Sequence, residues 1–302
     1  MDLILGENRK NPTEEEAQVL KEKTSFRVIT WICVPLQVGT IIWSLYTVSI
    51  ADFVPIEWIG FILSVGIMSG VMGINVSHEL QHRVNGRLEV ILSRIMLFTS
   101  LYAHWAIEHV VNHHRYVATQ EDPATAKKGQ NVYSFWLQSV FGGIKQAWNF
   151  EKKRSNDNIL KNRVFWYYFL QLLILICIFL VFGWISALFF VVQAIIAFTL
   201  LEIINYIEHY GLLRDKKADG KYENIQVWHS WNSNRRLTNW FLFNLQRHSD
   251  HHWKPGRRYQ LLRYYDQSPQ LPTGYAGMVL IAMIPTLYRK IVHPRLRYTA
   301  SI

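Results

Sequence analysis

The sequence predicts an all-α integral membrane protein with about four transmembrane helices. Of its 302 residues, 50% are hydrophobic and only 18% are charged, whereas typical soluble domains contain about 25% charged residues. Several uncharged segments reach the length of about 20 residues that a membrane-spanning helix requires. These segments alternate with basic ones, and positive charge orients membrane helices.

The uncharged segments place the predicted helices in order. Residues 28–50 and 58–77 are each long enough for one crossing. Residues 164–201 are long enough for two crossings, which we expect to be joined by a tight turn at 183–184. Such long uncharged runs are typical of membrane spans rather than of buried helices in soluble proteins. Residues 275–288 are too short to cross comfortably and include a proline, so we expect an interfacial or re-entrant segment there.

Basic residues orient the predicted spans. Segment 51–57 carries no Lys or Arg, whereas 115–163 carries nine and 207–274 carries eleven. Because positive segments stay on the cytoplasmic side, the N-terminus and both basic segments are predicted to be cytoplasmic. Segment 83–108 must then enter the membrane or lie along it and return to the same side. The net charge of +10 is therefore an orientation signal, and we predict no nucleic-acid partner.

Nine of the twelve His residues fall in four short motifs. Their spacing of three or four residues places the rings on one face of a helix, and neutral imidazole binds zinc, copper, iron or nickel. One ion cannot use nine nitrogens, since zinc usually takes four ligands. Two ions would keep open positions, which suits a redox metal that binds dioxygen; iron is our first choice, with copper and zinc left open. The motifs are HELQH at 78–82, EHVVNHH at 108–114, NYIEHYG at 205–211 and HSDHH at 248–252.

Each motif also has an ordinary interpretation. The HELQH motif alone is compatible with a zinc protease that uses Glu79 as its base, but that site would leave six His unexplained. A single His pair at a membrane boundary is more often hydrogen-bonded than metal-bound. Polar residues near membrane depth are costly unless they have a function, so four such motifs together favour a metal site.

The motifs resemble those of the alkane 1-monooxygenase family, the membrane di-iron alkane hydroxylases, which are related to xylene monooxygenases and membrane fatty acid desaturases. Residues 205–214 and 245–252 carry the resemblance, and VATQEDPA at 117–124, HSWNSN at 229–234 and LPTGY at 271–275 agree with it. The resemblance runs over nearly the whole chain. It implies one membrane-bound domain with a cytoplasmic, His-rich di-iron cap.

The chain departs from the family pattern in two places. The family usually has six transmembrane helices, so an N-terminal helical hairpin is expected to be absent from residues 1–302. Asn112 stands where many relatives have Gly, so the local backbone is expected to differ there.

The resemblance also implies the residues of the site. Four carboxylates adjoin ligands and are expected to orient imidazoles or to balance charge: Glu79, Glu108, Glu208 and Asp250. Three other His are expected to be structural: His104, His229 and His293. The ligands of the two iron ions are expected to be His78, His82, His109, His113, His114, His209, His248, His251 and His252.

The implied reaction is O₂-dependent hydroxylation of the terminal methyl group of medium- or long-chain alkanes to primary alcohols. Recognition of such a substrate must come from apolar burial, at roughly 0.8 kcal/mol per CH₂. Alternatives are a methyl-aromatic monooxygenase, a fatty-acyl desaturase or hydroxylase and, from another class, a membrane metal transporter. Five aromatic side chains are candidate channel walls, although helix packing is the favoured interpretation of each: Trp31, Trp43, Tyr102, Trp105 and Phe198.

The two electrons that each turnover needs must come from another protein. A rubredoxin-type iron site takes four Cys, whereas this chain has only two, and both Cys33 and Cys177 lie in predicted spans. The resemblance implies rubredoxin with an NAD(P)H-dependent reductase, in the bacterial inner membrane with the active site on the cytoplasmic side. We expect the carrier to dock on the basic segment 235–263, at Arg257 and Arg258.

Overall fold

The described residues form helices and connecting loops, with no β-sheet among them. The computed structural model describes residues 2–83 and 86–296. Two short π-helical segments, Ser69–Ile74 and Glu108–His113, lie between α-helices. The α-helices are α1 (Asp2–Leu5), α2 (Glu14–Glu22), α3 (Ser25–Ile50), α4 (Pro55–Met68), α5 (Asn75–Gln81), α6 (Arg87–Thr99), α7 (Trp105–Ile107), α8 (His114–Tyr116), α9 (Val132–Arg154), α10 (Arg163–His209), α11 (Arg236–Phe241), α12 (His248–Trp253), α13 (Tyr275–Ala282) and α14 (Pro285–Leu296).

Three helical segments are long and apolar enough to cross a membrane. They are Ser25–Ile50, Pro55–Gln81 and Arg163–His209. The second begins as α4 and continues through the first π-helical segment into α5. The third, of 47 residues, consists of two helices that meet at Gly183, where φ is 85° and ψ is 174°. That φ favours glycine, which has no Cβ, and the break lies where the sequence predicts the turn between two crossings. The all-α membrane fold is thus confirmed.

The chain divides into two compact units. The first, here called the terminal unit, contains the described residues of 1–24, 111–142 and 202–302. The second, here called the span unit, contains those of 25–110 and 143–201.

The span unit has an apolar core with a small polar cluster inside it. Ile41 and Leu45 of α3 pack in one cluster with Phe189 and Phe190 of α10. A Cβ added to Gly66 would lie 2.7 Å from Ile196, so α4 approaches α10 closely where glycine stands.

Hydrogen bonds join the members of the polar cluster. The Gln37 amide nitrogen donates to Ser69 Oγ at 2.9 Å and to Thr99 Oγ1 at 3.2 Å. The Gln193 amide nitrogen donates to the Thr99 carbonyl at 2.8 Å. Within membrane helices such internal hydrogen bonds replace the bonds to water that lipid cannot provide.

The terminal unit is organised around tyrosines at the end of α10. The rings of Tyr206 and Tyr210 lie 4.9 and 5.1 Å from that of Tyr288 in α14. The buried Trp231 donates its indole N–H to the Tyr210 carbonyl at 2.9 Å. This core fixes the last turn of α10, where His209 lies, against α14 and the loop that precedes α11.

Residues 275–288 form α13 and the start of α14 rather than a span. The two helices are separated by a short break before Pro285. Tyr275, Met278 and Tyr288 are buried in the core of the terminal unit, so one face of this segment packs inward.

Candidate metal centre

Four His residues of the terminal unit form a buried cluster. His248 and His252 are one helical turn apart on α12, so their rings share a face. His248 Nε2 lies 2.9 Å from His252 Nε2 and 3.3 Å from His209 Nε2. The His113 ring lies 4.8 Å from that of His209 and 4.9 Å from that of His252. One ring nitrogen from each of the four falls within 4.8 Å of the others.

A carboxylate fixes the ring of His113 from behind. His113 Nδ1 lies 3.0 Å from Asp122 Oδ2, and both side chains are buried. The same oxygen accepts a hydrogen bond from Thr125 Oγ1 at 2.6 Å, and Asp122 Oδ1 accepts one from the Ala124 N–H at 3.0 Å. With Nδ1 held by Asp122, the other ring nitrogen is left for a metal.

A second acidic side chain lies beside His248. Glu208 Oε1 lies 3.2 Å from His248 Nδ1 and accepts a hydrogen bond from the Tyr275 hydroxyl at 2.7 Å. Burial raises the pKa of Tyr275 well above its usual value. The phenol therefore stays protonated and remains the donor of this hydrogen bond.

The charge state of the cluster suits metal binding. Burial lowers the pKa of His252 well below its usual value, and the neighbouring imidazoles act in the same direction. A neutral imidazole can use a ring nitrogen as a ligand, whereas a protonated one cannot. Two nitrogens that bind one ion at about 2.1 Å lie about 3.0–3.4 Å apart, which the measured separations of 2.9 and 3.3 Å match. Four imidazoles thus fit an iron, copper or zinc ion.

Two further His of the terminal unit lie beside this cluster. His114 Nε2 and His251 Nε2 are 3.1 Å apart, and the His114 ring lies 4.4 Å from that of His252. Both belong to the ligand set that the sequence predicts.

The span unit brings the remaining three predicted ligands together. His78 lies on α5 with His82 directly after it, and His109 lies in the second π-helical segment. Their ring centroids are 4.7–5.2 Å apart, and His82 Nε2 lies 3.1 Å from His109 Nε2. Trp105 packs on His109 at 4.4 Å and on His78 at 5.9 Å. The same π-helical segment contains Asn112, the residue that departs from the family pattern.

The other predicted carboxylates have different surroundings. Glu79 forms an ion pair with Arg83 at 2.5 Å, and Glu108 is buried. Both oxygens of Asp250 lie 2.5 Å from Arg257 Nη1, and Asp250 Oδ2 also accepts the N–H of Arg263 at 2.8 Å. The contacts of Asp250 hold α12, which carries the predicted ligands His248, His251 and His252.

Sequence reasoning assigned no role to Asp122 or Tyr275. Both lie in stretches that carry the family resemblance, 117–124 and 271–275. An acidic residue in a turn shortly after a His motif is the signal that could have indicated Asp122, but only the structure shows that it faces the ring of His113.

The three His expected to be structural lie outside the His groups described above. His229 Nε2 is 3.1 Å from Glu223, and His293 Nε2 is 2.8 Å from the Tyr210 hydroxyl. His104 is buried in the span unit, with ring contacts to Tyr102 at 4.5 Å and Tyr168 at 6.1 Å.

His104 should make the protein less stable in acid. Burial lowers the pKa of His104 from 6.5 to about 3, so the folded state excludes a proton that the unfolded chain binds below pH 6.5. The stabilisation is complete above that pH and is lost as the pH falls towards 3. Between pH 7 and pH 5 the loss should be about 2 kcal/mol. We expect His104→Phe to remove this part of the pH dependence in unfolding titrations.

His293→Gln serves as the control for that experiment, because His293 lies elsewhere and is only partly buried. It should leave the pH dependence between pH 7 and pH 5 nearly unchanged. Equal pH dependence in His104→Phe and in the original protein would contradict the expectation.

Three of the candidate wall aromatics pack against other rings within the span unit. Tyr102 stacks on Phe198, with centroids 4.8 Å apart and planes at 11°. Trp43 meets the edge of Phe61 at 5.6 Å. Trp105 differs from these because it contacts the rings of predicted ligands.

Comparison with known proteins places this site in a family. The fatty acid desaturase family model matches residues 56–281, which include all nine predicted ligands. The chain therefore belongs to the fatty acid desaturase family, a class of membrane enzymes.

Within that class the chain belongs to the alkane 1-monooxygenases. It is 43% identical to alkane 1-monooxygenase 2 of Pseudomonas aeruginosa, over 98% of this chain and 80% of that protein. It is 41% identical to the alkane 1-monooxygenase of Acinetobacter baylyi, over 98% of this chain and 73% of that protein. The xylene/toluene monooxygenase hydroxylase component of Pseudomonas putida is 29% identical, over 80% of this chain and 66% of that protein. The predicted family and enzyme class are thus confirmed.

Proposed function

We propose that this chain acts as one membrane-bound domain that hydroxylates the terminal methyl group of medium- or long-chain alkanes. It uses O₂ and two external electrons, and the products are a primary alcohol and water. The observation that carries the proposal is the buried four-His cluster, in a chain 43% identical to an alkane 1-monooxygenase. The greater identity to alkane enzymes than to the xylene/toluene enzyme favours alkanes over methyl-aromatic substrates.

Two iron ions are proposed as the cofactor. One is held by the four-His cluster: His113, His209, His248 and His252. The other takes its ligands from the remaining five predicted His. Bound iron supplies the redox chemistry that activates O₂. Asp122 holds the ring of His113 and fixes which of its nitrogens faces the ion, and Glu208 lies 3.2 Å from His248 Nδ1.

Product identification tests this function. The purified full-length protein in lipid, supplied with rubredoxin, reductase, NADH and octane under ¹⁸O₂, should form 1-octanol that carries the label. Metal analysis should find two iron ions per chain. Zinc in place of iron, or no oxygenated product from any alkane, would contradict the proposal. Oxidation of m-xylene without oxidation of octane would favour the methyl-aromatic alternative. Desaturation of a fatty-acyl substrate would favour the fatty-acyl desaturase alternative.

The electron donor is proposed to be rubredoxin, reduced by an NAD(P)H-dependent reductase, at the cytoplasmic face of a bacterial inner membrane. Its docking surface is proposed at 235–263. There Trp253 and Lys254 are exposed, and Lys254 Nζ lies 4.4 Å from the Trp253 ring centre. Arg258 is partly exposed on the same segment.

Charge reversal should separate docking from chemistry. Because Arg257 binds Asp250, its reversal would also disturb α12, so Lys254→Glu with Arg258→Glu is the cleaner test. At low salt we expect about a tenfold higher KM for rubredoxin with little change in kcat, because rim charges act mainly on association. Salt should reduce the difference. Lys217→Glu with Lys221→Glu, on an exposed loop, is the matched control; an equal effect there would refute this docking surface.

A further inference from the structure

Helices α13 and α14 have a second apolar face that the proposed function does not use. Leu280 lies on α13, Met283 and Ile284 lie in the break between the two helices, and Leu287 lies on α14. Their exposed fractions are 68%, 49%, 52% and 38%. The opposite face is already buried in the core of the terminal unit, so these side chains are not needed to hold the two helices in place.

Helix α9 carries further exposed apolar side chains next to this segment. Tyr133, Leu137 and Phe141 lie four residues apart and are 59%, 53% and 63% exposed. The Tyr133 hydroxyl donates a hydrogen bond to the Met283 carbonyl at 2.8 Å, which joins the start of α9 to the break between α13 and α14. The seven exposed side chains are together called the α9/α13–α14 face. Exposed apolar surface of this kind is typical of a membrane or protein contact.

The position of the α9/α13–α14 face is consistent with contact to the bilayer. The inner side of α14 packs through Tyr288 on Tyr206 and Tyr210, at the end of a helix long enough to cross a membrane. The face is therefore anchored beside the point where α10 ends. An apolar stretch too short to span is characteristic of helices that lie in the membrane interface.

The charges next to the face favour lipid headgroups as its occupant. Helix α14 carries Arg289, Lys290 and Arg295, and neither α13 nor α14 contains an acidic residue. Lys290 and Arg295 are exposed. Basic residues close to a membrane surface are attracted by anionic lipids.

We propose that the α9/α13–α14 face is a membrane-inserted platform that binds the headgroup boundary of the bilayer, with the cations of α14 on anionic phospholipids. The seven apolar side chains enter the acyl region by about 5–10 Å. The platform fixes the terminal unit, which carries six of the predicted ligands, at the membrane surface. This inference is independent of which substrate the enzyme oxidises.

Spin-label accessibility tests the apolar part of the proposal. A label is placed on Leu280→Cys or Leu137→Cys in the full-length Cys33→Ser/Cys177→Ser protein, reconstituted in vesicles of phosphatidylglycerol and phosphatidylcholine. Compared with Lys217→Cys in an exposed loop, both labels should be severalfold less accessible to a water-soluble nickel chelate and more accessible to O₂. Chelate access equal to that at Lys217→Cys would overturn the platform. Protection found only at high protein-to-lipid ratio, with short distances between labels of two copies, would identify a protein interface and overturn it too.

Lipid selectivity tests the charged part. Spin-labelled phosphatidylglycerol should be immobilised by the protein in excess over spin-labelled phosphatidylcholine. Arg289→Gln with Lys290→Gln should reduce this excess severalfold, whereas Lys216→Gln with Lys217→Gln should not change it. An unchanged excess in the first variant, or an equal reduction in both, would overturn the assignment of anionic lipid to α14.

Discussion

We expect the His252→Ala variant to lose alkane hydroxylation to the detection limit and to retain about one of its two iron ions. The Nε2 atom of His252 lies 2.9 Å from that of His248. Removal of this imidazole leaves three ligands at the proposed ion. The measurement is iron per chain after chelator washing, together with the rate of 1-octanol formation.

The matched control is His293→Gln in the same unit. His293 bonds the Tyr210 hydroxyl and lies outside the His groups of the proposed centre, and glutamine can replace that hydrogen bond. This variant should keep both iron ions and most of the activity. The ligand assignment would be wrong if His252→Ala also kept both ions and normal turnover.

The second large effect should come from Asp122→Asn. The carboxylate accepts a hydrogen bond from His113 Nδ1 at 3.0 Å, whereas an amide nitrogen placed there would donate and favour the wrong imidazole tautomer. Loss of a carboxylate behind a ligating imidazole typically weakens metal binding about 10–100-fold. We expect that loss in competition with an iron chelator, and a proportionate fall in activity when iron is limiting.

A merely structural role for Asp122 predicts a different result. Asp122 also accepts hydrogen bonds from Thr125 and from the Ala124 N–H, so the variant is expected to unfold more readily. A lower unfolding temperature with unchanged iron affinity would refute the positioning role. Glu121→Gln, at the exposed neighbouring carboxylate, controls for the change of charge.

The sequence was sufficient for the parts of the fold that depend on local composition. The length of the uncharged segments predicts the spans, because charged side chains are disfavoured wherever a helix crosses the lipid. Gly183 could be anticipated, since a long apolar run needs a residue that tolerates the left-handed φ at its turn. The His motifs could be read because a spacing of three or four residues fixes a shared helix face.

Contacts that depend on how a loop folds or on a distant segment could not be predicted in this way. The hydrogen bond from Tyr275 to Glu208 joins residues 67 positions apart, and no local pattern indicates it. The pairing of Asp122 with His113 depends on the turn that follows α8. Arg257, expected from its charge to face a partner protein, is held by Asp250 because the loop after α12 folds back. Tertiary packing decides each of these contacts.

The π-helical segment Ser69–Ile74 makes the span tolerant of a change in its length. A π-helical turn holds one residue more than an α-helical turn, with little change in rise or rotation between the residues on either side. Loss of a single residue such as Val71 would let the segment relax to α-helix without breaking the span. His78 and His82 would then keep nearly the same orientation towards His109. Among relatives of this enzyme, single-residue gaps should therefore be concentrated in this stretch, because a gap in the α-helix that follows would rotate the residues after it by about 100° about the helix axis.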